Sequence, residues 1–370
     1  MNLKISRIDV FRVDMPYSGG IYHLSGGRTY ESFDATFVRI TTNNGIEGWG
    51  ESTPFGATFI AAHALGVRAG IAEIAPSLVG LDPRDVERIN DAMDAALVGH
   101  EHAKTAIDVA CWDIFGKSVD LPVYQLLGGS TGNKLPLMCS VPVLDPEATR
   151  VFVATFRAKG YAGFSVKVGE DPVTDAARIT AALADREPHE HFSIDANGGF
   201  TVEMALRTLR LLPERLDFVL EAPCPTWRET LSLRQRTNVP FLIDELLLNE
   251  VGATEIVATG AGEAVNLKIS KVGGLTRSRR IRDICQAAGI TIYTQDTTGS
   301  DIAFSAIAHL AQTIPTRLLR PILHSPSMVT TETVESPFTV QDGLVTPPQE
   351  PGLGITPRLD ILGEPVASYE

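Results

Sequence analysis

The sequence predicts an α/β protein built around a closed parallel barrel. Two observations carry this: eight short apolar runs alternate with amphipathic stretches from about Lys134 onward, and an antiparallel meander with a helical group precedes them. The runs are Leu137 to Val141, Gly163 to Val168, His191 to Asp195, Phe218 to Glu221, Phe241 to Asp244, Ala264 to Ile269, Thr291 to Gln295 and Leu318 to Leu323. Helical stretches fall between them at Asp145 to Ala158, Pro172 to Ala184, Val202 to Leu212 and Ser278 to Ala288. The opening meander comprises Lys4 to Val13, Ala35 to Thr42 and Ile46 to Glu51, the last two joined by the Asn43-Asn44-Gly45 turn. Tyr17 to Tyr30 is too polar for a strand and, like Ser52 to Phe59, is expected to be a mobile loop. From Ala61 to Val119 the apolar spacing is helical. These patterns divide the chain into a smaller α+β unit at 1–130, the barrel at 131–345 and a C-terminal segment at 346–370 that packs back on the first unit.

Composition narrows the function. At 370 residues, with 44% apolar and 21% charged residues, the chain can bury a sizeable core. A net charge of -13 argues against nucleic acid and anionic membrane as partners. Cys111, Cys139, Cys224 and Cys285 are too widely spaced for a zinc pattern and are expected to be reduced and buried. With neither a secretory pattern at the start nor a window of about 20 apolar residues, a cytoplasmic location is expected. Barrels commonly self-associate, so a homo-oligomer is compatible with the pattern, although no interface signal is legible.

In a parallel barrel the reacting groups gather at the C-terminal strand ends. Successive run ends here deliver Lys167, Asp195, Glu221, Asp244 and Lys268, spaced 28, 26, 23 and 24 positions apart, about one β–α unit each. A single strand-end carboxylate reads equally well as a helix cap; three in succession between two lysine strands do not. Three carboxylates without His or Cys suit a hard divalent ion, Mg²⁺ or alternatively Mn²⁺, which leaves positions open for substrate oxygens. Such an ion can grip a substrate carboxylate and stabilise the enediolate formed when the neighbouring carbon loses its proton. Lys167 and Lys268, on opposite sides of the ion, are the expected acid/base pair, with their pKa values lowered by the cation and by desolvation.

Together with other segments these residues carry a family resemblance. Gly48-Trp49-Gly50-Glu51, Ala106-Ile107-Asp108-Val109-Ala110-Cys111-Trp112-Asp113, Leu126-Leu127-Gly128-Gly129, Val166-Lys167-Val168-Gly169, Asp195-Ala196-Asn197-Gly198-Gly199, Glu221-Ala222-Pro223, Asp244-Glu245 and Asn266-Leu267-Lys268-Ile269 resemble the mandelate racemase/muconate lactonizing enzyme subgroup of the enolase superfamily. The resemblance runs from Met1 to the tail. It implies a modified TIM barrel, (β/α)₇β, under an α+β capping domain, with metal ligands at Asp195, Glu221 and Asp244; a lysine base with magnesium is a known pattern of this superfamily. Many relatives have Lys-x-Lys where this chain has Ser165-Val166-Lys167, so Ser165, on the same face as Lys167, lends no positive charge.

Several further residues are candidates for the substrate pocket or for supporting the ligands. Asn197 shares the direction of Asp195, and Glu245 follows a proposed ligand. Tyr22, His23 and Phe55 offer lid surface, each with an equally simple reading as loop packing. Asp296, after the seventh run, could bind an ammonium group or cap the next helix. Lys271 reads as a solvated or helix-pairing lysine. The lid segments His23-Leu24-Ser25-Gly26-Gly27-Arg28 and Thr53-Pro54-Phe55-Gly56, with Ser165-Val166-Lys167, look most like the branch of cis-3-hydroxyproline dehydratases and proline-betaine or hydroxyproline-betaine epimerases. The eighth run has no Trp for a quaternary-ammonium cage and no paired aspartates for a dipeptide. The expected substrate is therefore a small carboxylate, a cyclic amino acid, that is dehydrated or epimerised. Muconate-type cycloisomerisation, N-acylamino acid racemisation and a non-catalytic carboxylate-binding barrel are the alternatives.

Overall fold

The computed structural model describes residues 3–132 and 134–370; Met1, Asn2 and Asn133 lie outside that range. The N-terminal sheet is antiparallel in the order Ala367–Tyr369, Ile5–Pro16, Ser32–Thr42, Glu47–Ser52, so the C-terminal segment supplies its edge strand. Its last strand lies against the helix Glu101–Val119, and this contact explains the Gly-x-Gly of the Gly48 to Glu51 motif. A Cβ on Gly48 would sit 2.2 Å from the Ala110 carbonyl oxygen, and one on Gly50 would sit 2.1 Å from that of Ala106. Only hydrogen fits at these alternate positions.

The same helix is anchored through two buried aspartates, Asp108 to the barrel and Asp113 to the cap strand and the C-terminal segment. Asp108 accepts from the Thr276 N–H at 3.0 Å, its hydroxyl at 2.6 Å and the Asn90 amide at 2.7 Å. Asp113 accepts from the Trp49 N–H at 2.9 Å, the Leu353 N–H at 2.7 Å and Lys117 at 2.8 Å. Buried carboxylates persist when several donors meet them in this way.

The barrel strands are Leu135–Val141, Gly163–Lys167, His191–Asp195, Val219–Glu221, Phe241–Ile243, Ala264–Lys268, Thr291–Gln295 and Ile322–Leu323, taken below as the first to the eighth. Neighbours pair in parallel around the ring, and the eighth returns to the first. Between the seventh and eighth a single bridge, Ile292 to Leu319, nearly closes the circle. Side-chain caps start the intervening helices where the sequence offers them, with Asp145, Asp171, Thr201, Thr226 and Asn249 each accepting from a first-turn N–H. The four cysteines are free and buried. No helix among the described residues is long and apolar enough to cross a membrane.

One local expectation fails. Tyr17 to Tyr30 is not simply a loop: Tyr22–Leu24 and Arg28–Tyr30 form a short antiparallel hairpin. Gly26 and Gly27, both at φ +70, make the reversal that residues with a Cβ rarely adopt. Polarity misleads here because the hairpin lies over the barrel mouth with only alternate side chains turned inward.

Replacing Gly50 with alanine should lower the urea midpoint of unfolding, costing about 3 kcal/mol, because the facing atom is backbone and cannot rotate away. An unchanged midpoint would remove close strand–helix approach as the reason for this glycine.

Candidate active site

Parallel register places the charged strand ends side by side. Lys167 pairs in register with Asp195, and Asp195 with Glu221. One step deeper, Ser140, Ser165 and Ser193 form the level below. Asp244 lies just beyond the fifth strand and Lys268 ends the sixth. The oxygens that Asp195, Glu221 and Asp244 offer all lie within 4.8 Å of one another, and all three residues are buried.

Lysines flank this arc of carboxylates. Lys167 binds Asp195 from one end; Lys268 reaches Asp244 at 2.5 Å from the other. Lys271 reaches the second Asp244 oxygen at 2.6 Å. Burial pushes Asp244 up, but Lys268 and Lys271 more than reverse it and hold the carboxyl well below its usual range. Burial also pushes Lys167 and Lys268 down, but the adjoining Asp195 and Asp244 charges raise both above the ordinary lysine value. The lowering expected from sequence rests on a bound cation; in the protein alone each ammonium serves as direct counter-charge to a buried carboxylate.

Glu221, in the centre, has no lysine of its own. It accepts from the Asn266 amide at 2.7 Å and from Ser165 at 3.5 Å. Burial, then the charge of Asp195, pushes its carboxyl up to about 8. A central carboxylate short of positive charge, between two others and with only oxygen donors, fits a hard divalent cation.

The other candidates separate on inspection. Asn197 donates to Asp195 at 2.9 Å and to Glu245 at 3.1 Å, and its own oxygen accepts from Ser25 of the lid hairpin at 3.0 Å. Glu245 therefore adjoins the cluster although it follows Asp244 directly, and burial with the Asp244 charge moves its carboxyl up to about 7. Lys167 donates to Ser165 at 3.3 Å. Tyr22, Phe55, Ser165, Lys167, Lys268 and Asp296 line one small enclosed cavity.

His23 does not join them. It is exposed on the hairpin because it alternates with Tyr22 and Leu24, which face the cavity. Asp296 is not the cap of the following helix, a place taken by Ser300. Its carboxylate accepts from Ser270 N–H at 3.0 Å, Ser270 hydroxyl at 2.7 Å and Thr297 N–H at 2.8 Å.

Sequence reasoning missed Lys271, Asn266 and Ser140. Asn266 lies two residues before Lys268 and was open to the same period-two argument as Ser165. Ser140 shares its level with Ser165 across one strand. Lys271 carried no signal, since its reach back to Asp244 depends on the short helix Ile269–Val272 that follows the strand.

Glu51 ties the cap to this mouth. It accepts from the Ser300 N–H at 3.0 Å, the Ser300 hydroxyl at 2.6 Å and the Ala303 N–H at 3.0 Å, at the start of the helix after the seventh strand.

A nearly closed parallel barrel with acidic strand ends, a capping sheet and flanking lysines defines the class of barrel enzymes that act on carboxylates with a metal ion. The chain belongs to the enolase superfamily, in its mandelate racemase/muconate lactonizing enzyme subgroup. Residues 9–128 match the mandelate racemase/muconate lactonizing enzyme N-terminal domain, and residues 148–361 match the enolase C-terminal domain-like family. Cis-3-hydroxy-L-proline dehydratase of Roseibium aggregatum is 41% identical over 99% of this chain and 100% of its own length. A structure from Aspergillus oryzae assigned to the subgroup is 64% identical, covering 99% of this chain and 100% of that one, with a TM-score of 0.95. Another from Roseovarius nubinhibens, complexed with magnesium, is 48% identical over 99% of this chain and 100% of that one, with a TM-score of 0.97.

Burial raises the Glu51 carboxyl to about 7 against an ordinary 4.5. A raised folded-state value means that the stabilisation is complete below pH 4.5 and is lost as pH rises through about 7. Relative to Glu51→Gln, the wild type should lose up to about 3 kcal/mol of unfolding free energy between pH 5 and 8. Parallel pH profiles in urea unfolding would show that Glu51 remains ionised throughout.

Proposed function

We propose that this enzyme removes the α-proton of a proline-type amino acid and eliminates water from it, in the manner of a cis-3-hydroxy-L-proline dehydratase. The observation that carries the reading is the pair Lys167 and Lys268, which enter one enclosed cavity from the two ends of a buried carboxylate arc. Asp195, Glu221 and Asp244 would hold Mg²⁺. Bound there, the cation would supply positive charge to the substrate carboxylate and offset the field that keeps both lysines protonated.

The chain's own groups account for the remaining steps. The lysine facing the α-hydrogen accepts it at Nζ once neutral, a state that burial favours. The opposite lysine still carries its proton and faces the other side of the ring. In cis-3-hydroxy-L-proline the hydroxyl shares a face with the carboxylate, so the α-hydrogen and the hydroxyl lie on opposite faces. One lysine takes the proton, the ring double bond forms as the carbon–oxygen bond breaks, and the hydroxyl leaves as water with the other lysine's proton. Epimerisation would use the same pair to return a proton to the opposite face.

The cavity walls favour this reading over the alternatives. Asp296, buried in the cavity wall, would repel a second substrate carboxylate placed beside it. Leu24, Phe55 and Phe59 add apolar wall around a compact space. Support from outside the site is the 41% identity, over nearly the whole chain, to the Roseibium dehydratase.

In D₂O with Mg²⁺, cis-3-hydroxy-L-proline should be dehydrated, and proline-type acids should take up deuterium at the α-carbon. Absence of both would sink the proposal. Lys268→Ala and Lys167→Ala should each lower turnover on the order of 10³-fold; full activity in either would rule out a two-lysine mechanism. Chelation should abolish turnover and restored Mg²⁺ should recover it. Calorimetry should show Mg²⁺ binding that Asp244→Asn weakens.

A further inference from the structure

The cavity holds a pair of hydroxyls that the proton chemistry leaves unused. Tyr22 of the lid hairpin and Ser140 of the first barrel strand meet hydroxyl to hydroxyl at 2.6 Å, and both line the cavity with Lys167 and Lys268. The Tyr22 ring is held in place: Tyr17 lies 5.4 Å away between ring centroids, and Phe55 meets it edge-on at 5.7 Å. Two hydroxyls that share one hydrogen bond keep one O–H and several lone pairs for a third partner. They can thus donate to a hydroxyl and accept from it at the same time, which neither an ammonium nor a carboxylate allows.

Most other polar groups in the cavity, Gln295 excepted, are already engaged. Ser165 is tied to Lys167 and Glu221, Asn197 to Asp195 and Glu245, and Asp296 to Ser270 and Thr297. Leu24, Leu323 and Met328 add apolar wall that suits ring methylenes. We propose that Tyr22 and Ser140 together form the subsite that reads the ring hydroxyl of the substrate, with lid and barrel each contributing one hydroxyl. This rests on the proline-type reading above and adds to it the residues that distinguish a hydroxylated ring from a plain one.

The simpler role for the same contact is that of a latch for the hairpin. The hairpin has separate latches: Ser25 donates to Asn197 at 3.0 Å, and the Val143 N–H donates to the His23 carbonyl at 3.0 Å. Ser25→Ala therefore provides a variant that loosens the lid without touching the hydroxyl pair.

The test compares, for wild type, Tyr22→Phe, Ser140→Ala and Ser25→Ala, the turnover of cis-3-hydroxy-L-proline with the rate of α-deuterium uptake by L-proline. Deuterium at the α-carbon of recovered cis-3-hydroxy-L-proline gives the same comparison within one compound. A buried hydroxyl left without its partner should lower the ratio of hydroxyproline turnover to proline exchange roughly ten- to hundred-fold in Tyr22→Phe and Ser140→Ala. Ser25→Ala should lower both rates together and leave the ratio alone. An unchanged ratio in Tyr22→Phe and Ser140→Ala, whether both rates fall or neither does, overturns the subsite while leaving the proline reading standing. Wild type inactive on both compounds overturns the proline reading and the subsite with it.

Discussion

The structure turns on buried negative charge. Asp195, Glu221 and Asp244 occupy one level at the barrel mouth, shielded from water, with Glu245 beside them. Charges at such separation in a low-dielectric setting repel by several kcal/mol unless matched. Every neighbouring feature supplies part of the match. Lys167 and Lys268 come from the strands on either side, Lys271 from the turn beyond the sixth, and neutral donors from Asn197 and Asn266. The lysines that would handle protons are thus the same ones that make the cluster tolerable. A dication at the carboxylates and an acid/base role for the lysines are therefore two sides of one electrostatic balance.

The cap completes that balance by excluding water. Hydrogen-only positions at Gly48 and Gly50 let the last cap strand lie directly on the helix Glu101–Val119. Asp108 then fixes that helix to Thr276 at the start of a barrel helix. From the end of the same strand, Glu51 holds the first turn of the helix that follows the seventh barrel strand. The segment after Glu51 brings Phe55 and Phe59 over the cavity, and the Lys268 ammonium lies 5.7 Å from the Phe59 ring. Rigid anchorage and aromatic cover are thus adjacent in sequence, with the aromatic surface lying over Lys268.

Much of this was legible in the sequence because strand periodicity is local. Eight apolar runs and their charged ends could be read residue by residue, and the boundaries differ from the observed strands by only a few positions, as in Leu137 against Leu135. The eighth run was the least faithful: only Ile322–Leu323 pairs as a strand, since Leu318 to Arg320 contributes a lone bridge. What escaped reading depends on three-dimensional closeness. The hairpin at Tyr22 has too few residues to show periodicity, so the inward Tyr22 and the outward His23 looked alike. Lys271 looked like any surface lysine until the short helix after Lys268 turned it back.

Ser165 shows how one substitution reshapes such a site. A second lysine at that position would have faced Glu221, the one carboxylate of the arc without an ammonium partner. The serine instead leaves Glu221 with a weak hydrogen bond and a strongly raised carboxyl, and it frees the volume that a lysine chain would fill. The freed space lies on the level of Ser140, directly across one strand. Loss of a charge near the metal ligands and gain of a hydroxyl-lined floor are therefore one event. The departure from Lys-x-Lys thus links the charge balance of the site to the shape of its floor.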